Sequence, residues 1–188
     1  LFGPAAMQPT RQTWKGQSNN NFGFQYNVEP MDEKNSFVVN VWSRGINDGK
    51  KRPVLVWLHG GVYATGSANE FPFYDGRSLA LKGDIVVVSV NHRLNVLGYA
   101  DLRGLGGKYS ESVNLGMQDL VVSLQWVRDN IDKFGGDPNS VTIVGQSGGG
   151  GKVTCLMAMP SAAGLFPRAI VESGSIFNPG KSEDSKAY

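Results

Sequence analysis

Short runs of consecutive apolar residues, separated by longer mixed segments, dominate the hydrophobic pattern of this chain. The runs span residues 37–42, 54–58, 85–90, 141–145 and 169–172. They are rich in β-branched residues, which is typical of strands. Because the run at 54–58 is unbroken and that at 85–90 is nearly so, rather than alternating, these runs indicate a sheet that is covered on both faces.

One long stretch has helical periodicity instead. Between residues 115 and 134, apolar side chains recur at alternating spacings of four and three, which predicts a helix with one apolar stripe. The stripe consists of Leu120, Leu124, Val127, Ile131 and Phe134. Asn114 is predicted to cap this helix, and Gly135 to end it in the left-handed conformation.

A second helix is predicted from Ser147 to about Met159, before Pro160. The order strand, helix, strand, helix, strand predicts an α/β fold with a mostly parallel sheet, in a single domain.

Three polar segments are predicted to lie outside these elements. Residues 1–35 show no clear period and are interpreted as surface loops. Asn47-Asp48-Gly49 is a hairpin-like signal before the strand at 54–58. Residues 136–139 are interpreted as a turn.

Composition narrows the classes of function. The 188 residues are 40% hydrophobic and 18% charged, as expected for a globular domain, and the formal net charge is +2. This balance gives no reason to expect a nucleic-acid partner, and no apolar run is long enough to span a membrane. A single cysteine, Cys155, excludes a disulfide within the chain. Cysteine content therefore does not indicate the cellular compartment of the protein.

The glycine-rich segment VTIVGQSGGGGKVT at 141–154 permits two interpretations. A phosphate-binding loop needs a glycine five residues before Gly-Lys and a hydroxyl residue after the lysine. Gln146 and Val153 occupy those two positions, so both requirements fail. By contrast, Gly145-Gln146-Ser147-Gly148-Gly149 fits Gly-x-Ser-x-Gly without a mismatch. That motif exposes a nucleophilic serine on a sharp strand-to-helix turn, although a plain glycine-rich turn remains the alternative.

A second motif lies upstream, at the end of an earlier apolar strand. Attack by a serine creates an oxyanion that fixed N–H donors must stabilise. In such sites one donor follows the serine, here Gly148, and the others lie in a loop often written His-Gly-Gly-Gly. His59-Gly60-Gly61 fits the start of that loop. Its alternative interpretation is a tight turn with a packed imidazole.

Six further motifs resemble those of the type-B carboxylesterases, a family of α/β-hydrolases that includes cholinesterases and bacterial para-nitrobenzyl esterases. The matching segments are Gly-Pro-x-x-x-Gln at 3–8, Val-Asn-Val-Trp at 39–42, Asn-His-Arg-Leu at 91–94, and the segments at 114–119, 126–131 and 134–138. Gln146 and the extra glycines favour the bacterial branch. The resemblance implies an α/β-hydrolase fold and hydrolysis of a small carboxylic ester, and it leans towards a secreted or periplasmic protein.

The resemblance also implies roles for individual residues. Ser147 is expected to be the nucleophile. The backbone amides of Gly61, Val62 and Gly148 are expected to form the oxyanion hole. Arg93 and Asp119 are expected to form a buried structural ion pair, whereas His92 replaces a tyrosine of the family. No cofactor and no metal site are expected, because no residues have ligand spacing.

The chain departs from the family pattern in three ways. Val62 replaces a glycine of the oxyanion loop, and its branched side chain is expected to narrow the acyl pocket. Ala6 and Ser36 replace both cysteines of the first family disulfide. No histidine follows Ser147, whereas the triad acid and base of this fold follow the serine.

The missing histidine, and a length less than half that of known family members, predict that the chain is the N-terminal portion of an esterase. Its partner is then expected to be the remainder of the same polypeptide. Because the first strands and the C-terminal half would be missing, the domain at 1–188 is expected to be incomplete. Alternatives are a catalytically silent interaction protein on the same fold and an independent binding module. Retention of Ser147 disfavours the silent interaction protein. An independent binding module would leave part of the sheet uncovered, which disfavours that alternative.

Overall fold

A five-stranded mixed sheet organises the structure, a computed structural model that describes residues 2–8 and 30–174. Its strands are β1 (Val39–Trp42), β2 (Arg52–Leu58), β3 (Val86–Val90), β4 (Gly136–Gln146) and β5 (Arg168–Glu172). They lie side by side in the order β1-β3-β2-β4-β5. Only β1 runs antiparallel to its neighbour, β3, and all other pairs are parallel. The predicted α/β class with a mostly parallel sheet is confirmed.

Within the described residues, four α-helices connect the strands. They are α1 (Arg77–Gly83), α2 (Asn95–Tyr99), α3 (Leu115–Asn130) and α4 (Gly148–Ala158). The predicted 115–134 helix divides into α3 and a short 3₁₀ turn at Ile131–Phe134. No helix in the described part of the chain is long and apolar enough to cross a membrane.

The two ends of α3 differ in how well the sequence predicted them. Gly135 adopts the left-handed conformation, with φ of 73°, as expected. The predicted cap at Asn114 is wrong, because its side chain makes no capping hydrogen bond. A capping residue needs an extended backbone, whereas Asn114 is itself left-handed, with φ of 50°.

The main core lies between one face of the sheet and the helices α3 and α4. Alternate residues of β2, β3 and β4 point to this face. The core consists of Val54, Val56, Leu58, Val86, Val88, Val90, Val141 and Ile143 with the stripe of α3 and with Val153 and Leu156 of α4. On the opposite face, Gly76 at the start of α1 lies against Val87 and Trp42, so helices flank both sides.

The predicted hairpin at Asn47-Asp48-Gly49 is wrong, because β1 pairs with β3 rather than with β2. The intervening segment is bound to the 3₁₀ turn that follows α3 instead. The Asn47 N–H donates to the carbonyl of Lys133 at 2.7 Å. Arg52, which is only 4% exposed, pairs with both Asp48 and Asp84 at 2.7 Å. These long-range contacts override the local turn signal.

Two other predicted loops are corrected. Residues 136–139 belong to β4, since Gly136 pairs with Arg52 across an irregular register. At the N-terminal end, Ala5 forms a parallel bridge with Met31. Ala5 and Ala6 are therefore buried rather than on a surface loop. The rest of that predicted loop, residues 9–29, lies outside the described residues.

Candidate active site

Ser147 lies at the junction between β4 and α4, where the chain turns sharply. Its backbone has φ of 57° and ψ of −124°, a conformation that costs a non-glycine residue about 1–3 kcal/mol. Two hydrogen bonds hold it there. The Ser147 N–H donates to the carbonyl of Glu172 on β5 at 2.8 Å, and the Ser147 carbonyl accepts from Gly151 at 3.1 Å. The neighbouring strand and helix thus support the strained turn.

The flanking glycines are required by close backbone approach. A Cβ on Gly145 would strike the backbone of Gly149. A Cβ on Gly149 would strike the carbonyl of Leu58, at the end of β2. Because these neighbours are backbone atoms, they cannot rotate away as a side chain could. The Gly-x-Ser-x-Gly spacing is therefore a steric condition for packing α4 against β4 and β2.

The loop after β2, residues 59–63, forms a tight turn beside Ser147. The carbonyl of Gly61 accepts hydrogen bonds from the N–H groups of Ala64 and Thr65, both at 3.0 Å. Gly61 itself has φ of 90°. Val62 and Tyr63 are also left-handed, with φ of 53° and 64°, although neither is a glycine. The loop is therefore strained and needs support from its surroundings.

Three residues named from the sequence for an oxyanion hole lie together. The backbone nitrogen of Val62 is 2.7 Å from the point where a Cβ on Gly148 would lie. A Cβ on Gly60 would be 3.5 Å from the Ser147 Cβ. In residues 2–8 and 30–174 no protein acceptor is bound by the N–H of Gly61 or of Val62. These donors remain available to a ligand.

The side chain of Val62 points away from the core. Val62 is 75% exposed, so its isopropyl group lies on the open side of the loop next to Ser147. A β-branched side chain there occupies space that a glycine would leave free.

Two histidines stack behind this loop. The rings of His59 and His92 are 5.0 Å apart and nearly parallel, and both are fully buried. Each Nδ1–H donates to a backbone carbonyl, that of Gly60 at 2.9 Å and that of Arg93 at 2.8 Å. Each Nε2 is left without a hydrogen-bond partner among the described residues. Burial and the nearby Lys152 lower the pKa of His92 to about 3 and that of His59 well below its ordinary value, so both rings are neutral.

Lys152, on α4, is the largest completely buried side chain in the described part of the chain. Its Nζ donates to the backbone carbonyl of His59 at 2.9 Å and lies 5.6 Å from the centre of the Tyr63 ring. Burial lowers the pKa of this amine to about 7, partly opposed by the negative charge of Glu70. From the sequence, Lys152 was a candidate only for a phosphate-binding loop, and these contacts were not predicted. Its position amid glycines and apolar residues of a core helix was the available signal.

Arg93 and Asp119 join the segment after β3 to α3. The Asp119 carboxylate accepts three hydrogen bonds from Arg93, from the backbone N–H and Nε at 2.9 Å and from Nη2 at 2.6 Å. The pair is half-buried rather than buried as expected, because the Arg93 side chain is 43% exposed and that of Asp119 only 6%. Arg93 has a structural rather than a catalytic role in this arrangement, because its donors bind Asp119.

The structure provides no general base for Ser147 within the described residues. The chain has two histidines, His59 and His92, and both donate from Nδ1 to backbone carbonyls rather than contacting the serine. No group of three or more His, Cys, Asp or Glu side chains in residues 2–8 and 30–174 could hold a metal ion. The site therefore contains a strained serine and two free amides.

Comparisons with known proteins show which family the chain resembles. The model of the carboxylesterase family matches residues 1–187. The para-nitrobenzyl esterase of Bacillus subtilis (strain 168) is 42% identical over 159 residues, which cover 85% of this chain and 32% of that protein. The phenmedipham hydrolase of Pseudarthrobacter oxydans is 40% identical over 172 residues, covering 92% of this chain and 32% of that protein.

A solved structure is similarly close. It is an esterase from Clostridium hathewayi, described as hydrolysing aliphatic aromatic polyesters, with 43% identity and a TM-score of 0.88. The match covers 98% of this chain and 37% of that one. The present chain thus spans about a third of the length of the relatives that it matches.

Proposed function

Since the chain belongs to the carboxylesterase family, we propose that it carries the nucleophile and the oxyanion hole of a serine carboxylic-ester hydrolase. Ser147 is the proposed nucleophile. Its Oγ attacks the ester carbonyl carbon, and the carbonyl oxygen becomes a tetrahedral oxyanion. The substrate is a small carboxylic ester. No metal or organic cofactor takes part in this proposal.

The observation that carries the proposal is the strained backbone of Ser147 next to unpaired amides. A φ of 57° and ψ of −124° is the conformation that a nucleophile elbow requires to expose its hydroxyl. Gly61 and Val62 hold N–H groups without protein acceptors among the described residues, on the loop beside Ser147. The N–H of Gly148, at the start of α4, is the proposed third donor.

The proposed reaction has two steps. In the first, a bond forms between Ser147 Oγ and the acyl carbon, the ester C–O bond breaks, and the alcohol leaves with a proton. In the second, water attacks the acyl-enzyme and releases the acid, which restores the serine hydroxyl. Both steps need a base that accepts the serine or water proton and returns it.

We assign that base to a histidine outside these 188 residues, together with the carboxylate that orients it. Both histidines in the chain are buried behind the oxyanion loop, and no histidine follows Ser147. The domain is then completed by the remainder of the same polypeptide. Placement in the bacterial branch of the family belongs to this proposal too, supported by the long matches to bacterial relatives.

Fluorophosphonate labelling of the natural polypeptide that contains this sequence tests the proposal. The expected result is a single adduct by intact mass, mapped to the Ser147 peptide, and hydrolysis of a p-nitrophenyl ester. Ser147→Ala should lose the adduct and about 10⁴-fold or more of kcat. The exposed Ser161 is the matched control, and Ser161→Ala should label like the wild type. Absence of both labelling and hydrolysis in the folded wild type would favour a silent interaction protein on this fold.

A further inference from the structure

Lys152 is the feature that the proposed mechanism leaves unused. It is fully buried, and burial of an amine without an ionic partner is unfavourable unless the surroundings compensate. No carboxylate forms a salt bridge with it among the described residues. Its Nζ instead donates to the carbonyl of His59 and lies over the face of Tyr63. Both partners belong to the loop that carries Gly61 and Val62.

The two contacts bracket the proposed oxyanion donors. His59 precedes Gly60, Gly61 and Val62 in the chain, and Tyr63 follows them. Lys152 therefore contacts both ends of the segment that carries the proposed oxyanion donors. Its own backbone belongs to α4, the helix that begins directly after Ser147. One side chain thereby connects the helix of the nucleophile to the loop of the oxyanion donors.

The loop at residues 59–63 needs support of the kind that Lys152 provides. Val62 and Tyr63 are both left-handed, with φ of 53° and 64°, and such a conformation persists only where the surrounding structure over-determines it. Other contacts of Tyr63 hold the same end of the loop. Its ring meets that of Tyr99 edge-on at 5.1 Å, and its carbonyl accepts from Asn95 at 2.9 Å.

On this geometry, and resting on the proposed function, we propose that Lys152 is a positioning residue that fixes the oxyanion loop against the helix of Ser147. It acts through His59 and Tyr63 and does not itself contact the substrate. A loop that shifts by a fraction of an ångström still binds the ester but stabilises the oxyanion poorly. Loss of Lys152 therefore affects kcat far more than KM.

The test compares Lys152→Met with Lys82→Met in the natural polypeptide, using a p-nitrophenyl ester. Methionine fills nearly the same volume without a donor or a charge, and Lys82 is an exposed lysine at the end of α1. Lys152→Met should lower kcat about 100-fold and leave KM within about threefold. Lys152→Gln, which retains an N–H donor, should restore part of the loss, whereas Lys82→Met should match the wild type.

If Lys152 merely fills the core, a buried methionine in its place should be neutral or stabilising for the fold. The variant should then keep the kcat of the wild type. A folded Lys152→Met protein with wild-type kcat overturns the inference. If that variant does not fold, Tyr63→Leu removes the other contact, and a wild-type kcat for it overturns the inference equally. A wild type that neither hydrolyses the ester nor reacts with the fluorophosphonate overturns the proposed function first, and the role of Lys152 with it.

Discussion

The amine of Lys152 lies 2.9 Å from the backbone carbonyl oxygen of His59. This bond joins the first turns of the helix that follows Ser147 to the strained loop after β2. It lies in the interior, where neither partner reaches solvent. Because the amine is buried beside neutral histidines, the stability of this region depends on pH.

Burial of Lys152 predicts that stability rises with pH above neutrality. Its pKa is lowered from 10.5 to about 7 in the folded chain. Between those values the unfolded chain keeps a proton that the folded chain has lost, so the free energy of unfolding increases with pH. The increase is at most about 1.4 kcal/mol per pH unit.

Chemical denaturation of the wild type and of Lys152→Met at several pH values from about 7 to about 9 measures this effect. The free energy of unfolding of the wild type, relative to that of the variant, should increase as the pH rises. The other groups that act on this amine, Glu70 and the buried rings of His59 and His92, are present in both proteins, so the difference isolates Lys152. A difference that stays constant over that range would contradict the prediction.

Gly149→Ala tests the steric condition on the elbow. A Cβ at this position strikes the carbonyl of Leu58, a backbone atom that cannot move without shifting β2. We expect the free energy of unfolding to fall by about 1–3 kcal/mol and phosphonate labelling of Ser147 to slow. Gly104→Ala is the matched control, since a Cβ there meets nothing within 4 Å. Equal stability of the two variants would show that the approach of α4 to β2 is not limiting.

Asp119→Asn tests the ion pair with Arg93. The carboxylate accepts three hydrogen bonds and is 6% exposed, so loss of its charge leaves the partly buried donors of Arg93 poorly paired. Since the Arg93 side chain is 43% exposed, solvent screens part of the effect, and we expect a loss of about 2 kcal/mol.

The control for Asp119→Asn is Asp129→Asn, whose exposed pair with Arg128 should cost less than about 1 kcal/mol. Thermal denaturation of the two variants compares them directly. A loss at Asp119 no greater than that at Asp129 would mean that the Arg93 pair contributes no more than a surface contact.

Val62→Gly tests the substitution that distinguishes this oxyanion loop. Val62 is 75% exposed and left-handed, with φ of 53°. Glycine relieves that strain and sacrifices little packing, so stability should not fall. Removal of the branched side chain should also widen the space beside Ser147.

The expected outcome for Val62→Gly is a larger gain in kcat/KM for p-nitrophenyl esters with bulky acyl groups than for the acetate. The ratio of the two kcat/KM values in variant and wild type is the measurement. If both esters change by the same factor, Val62 does not shape the acyl pocket.

Several features of this protein were determined by local sequence. Apolar runs rich in β-branched residues predicted the strands, and the stripe from Leu120 to Phe134 predicted the helix where α3 lies, because the burial pattern of a single element depends on its own residues. The Gly-x-Ser-x-Gly spacing predicted the turn at Ser147, because close backbone approach admits only glycine at its flanks. All of these sequence signals come from residues that are close together in the chain.

Only the tertiary structure decided which distant residues meet. The signal at Asn47-Asp48-Gly49 did not make a hairpin, because Arg52 and the 3₁₀ turn after α3 bind that segment more extensively than a local turn could. Lys152 resembled part of a phosphate loop until the fold placed its amine against His59 and Tyr63. Contacts between residues far apart in the chain leave no periodic trace in the sequence, and their energies override weak local preferences.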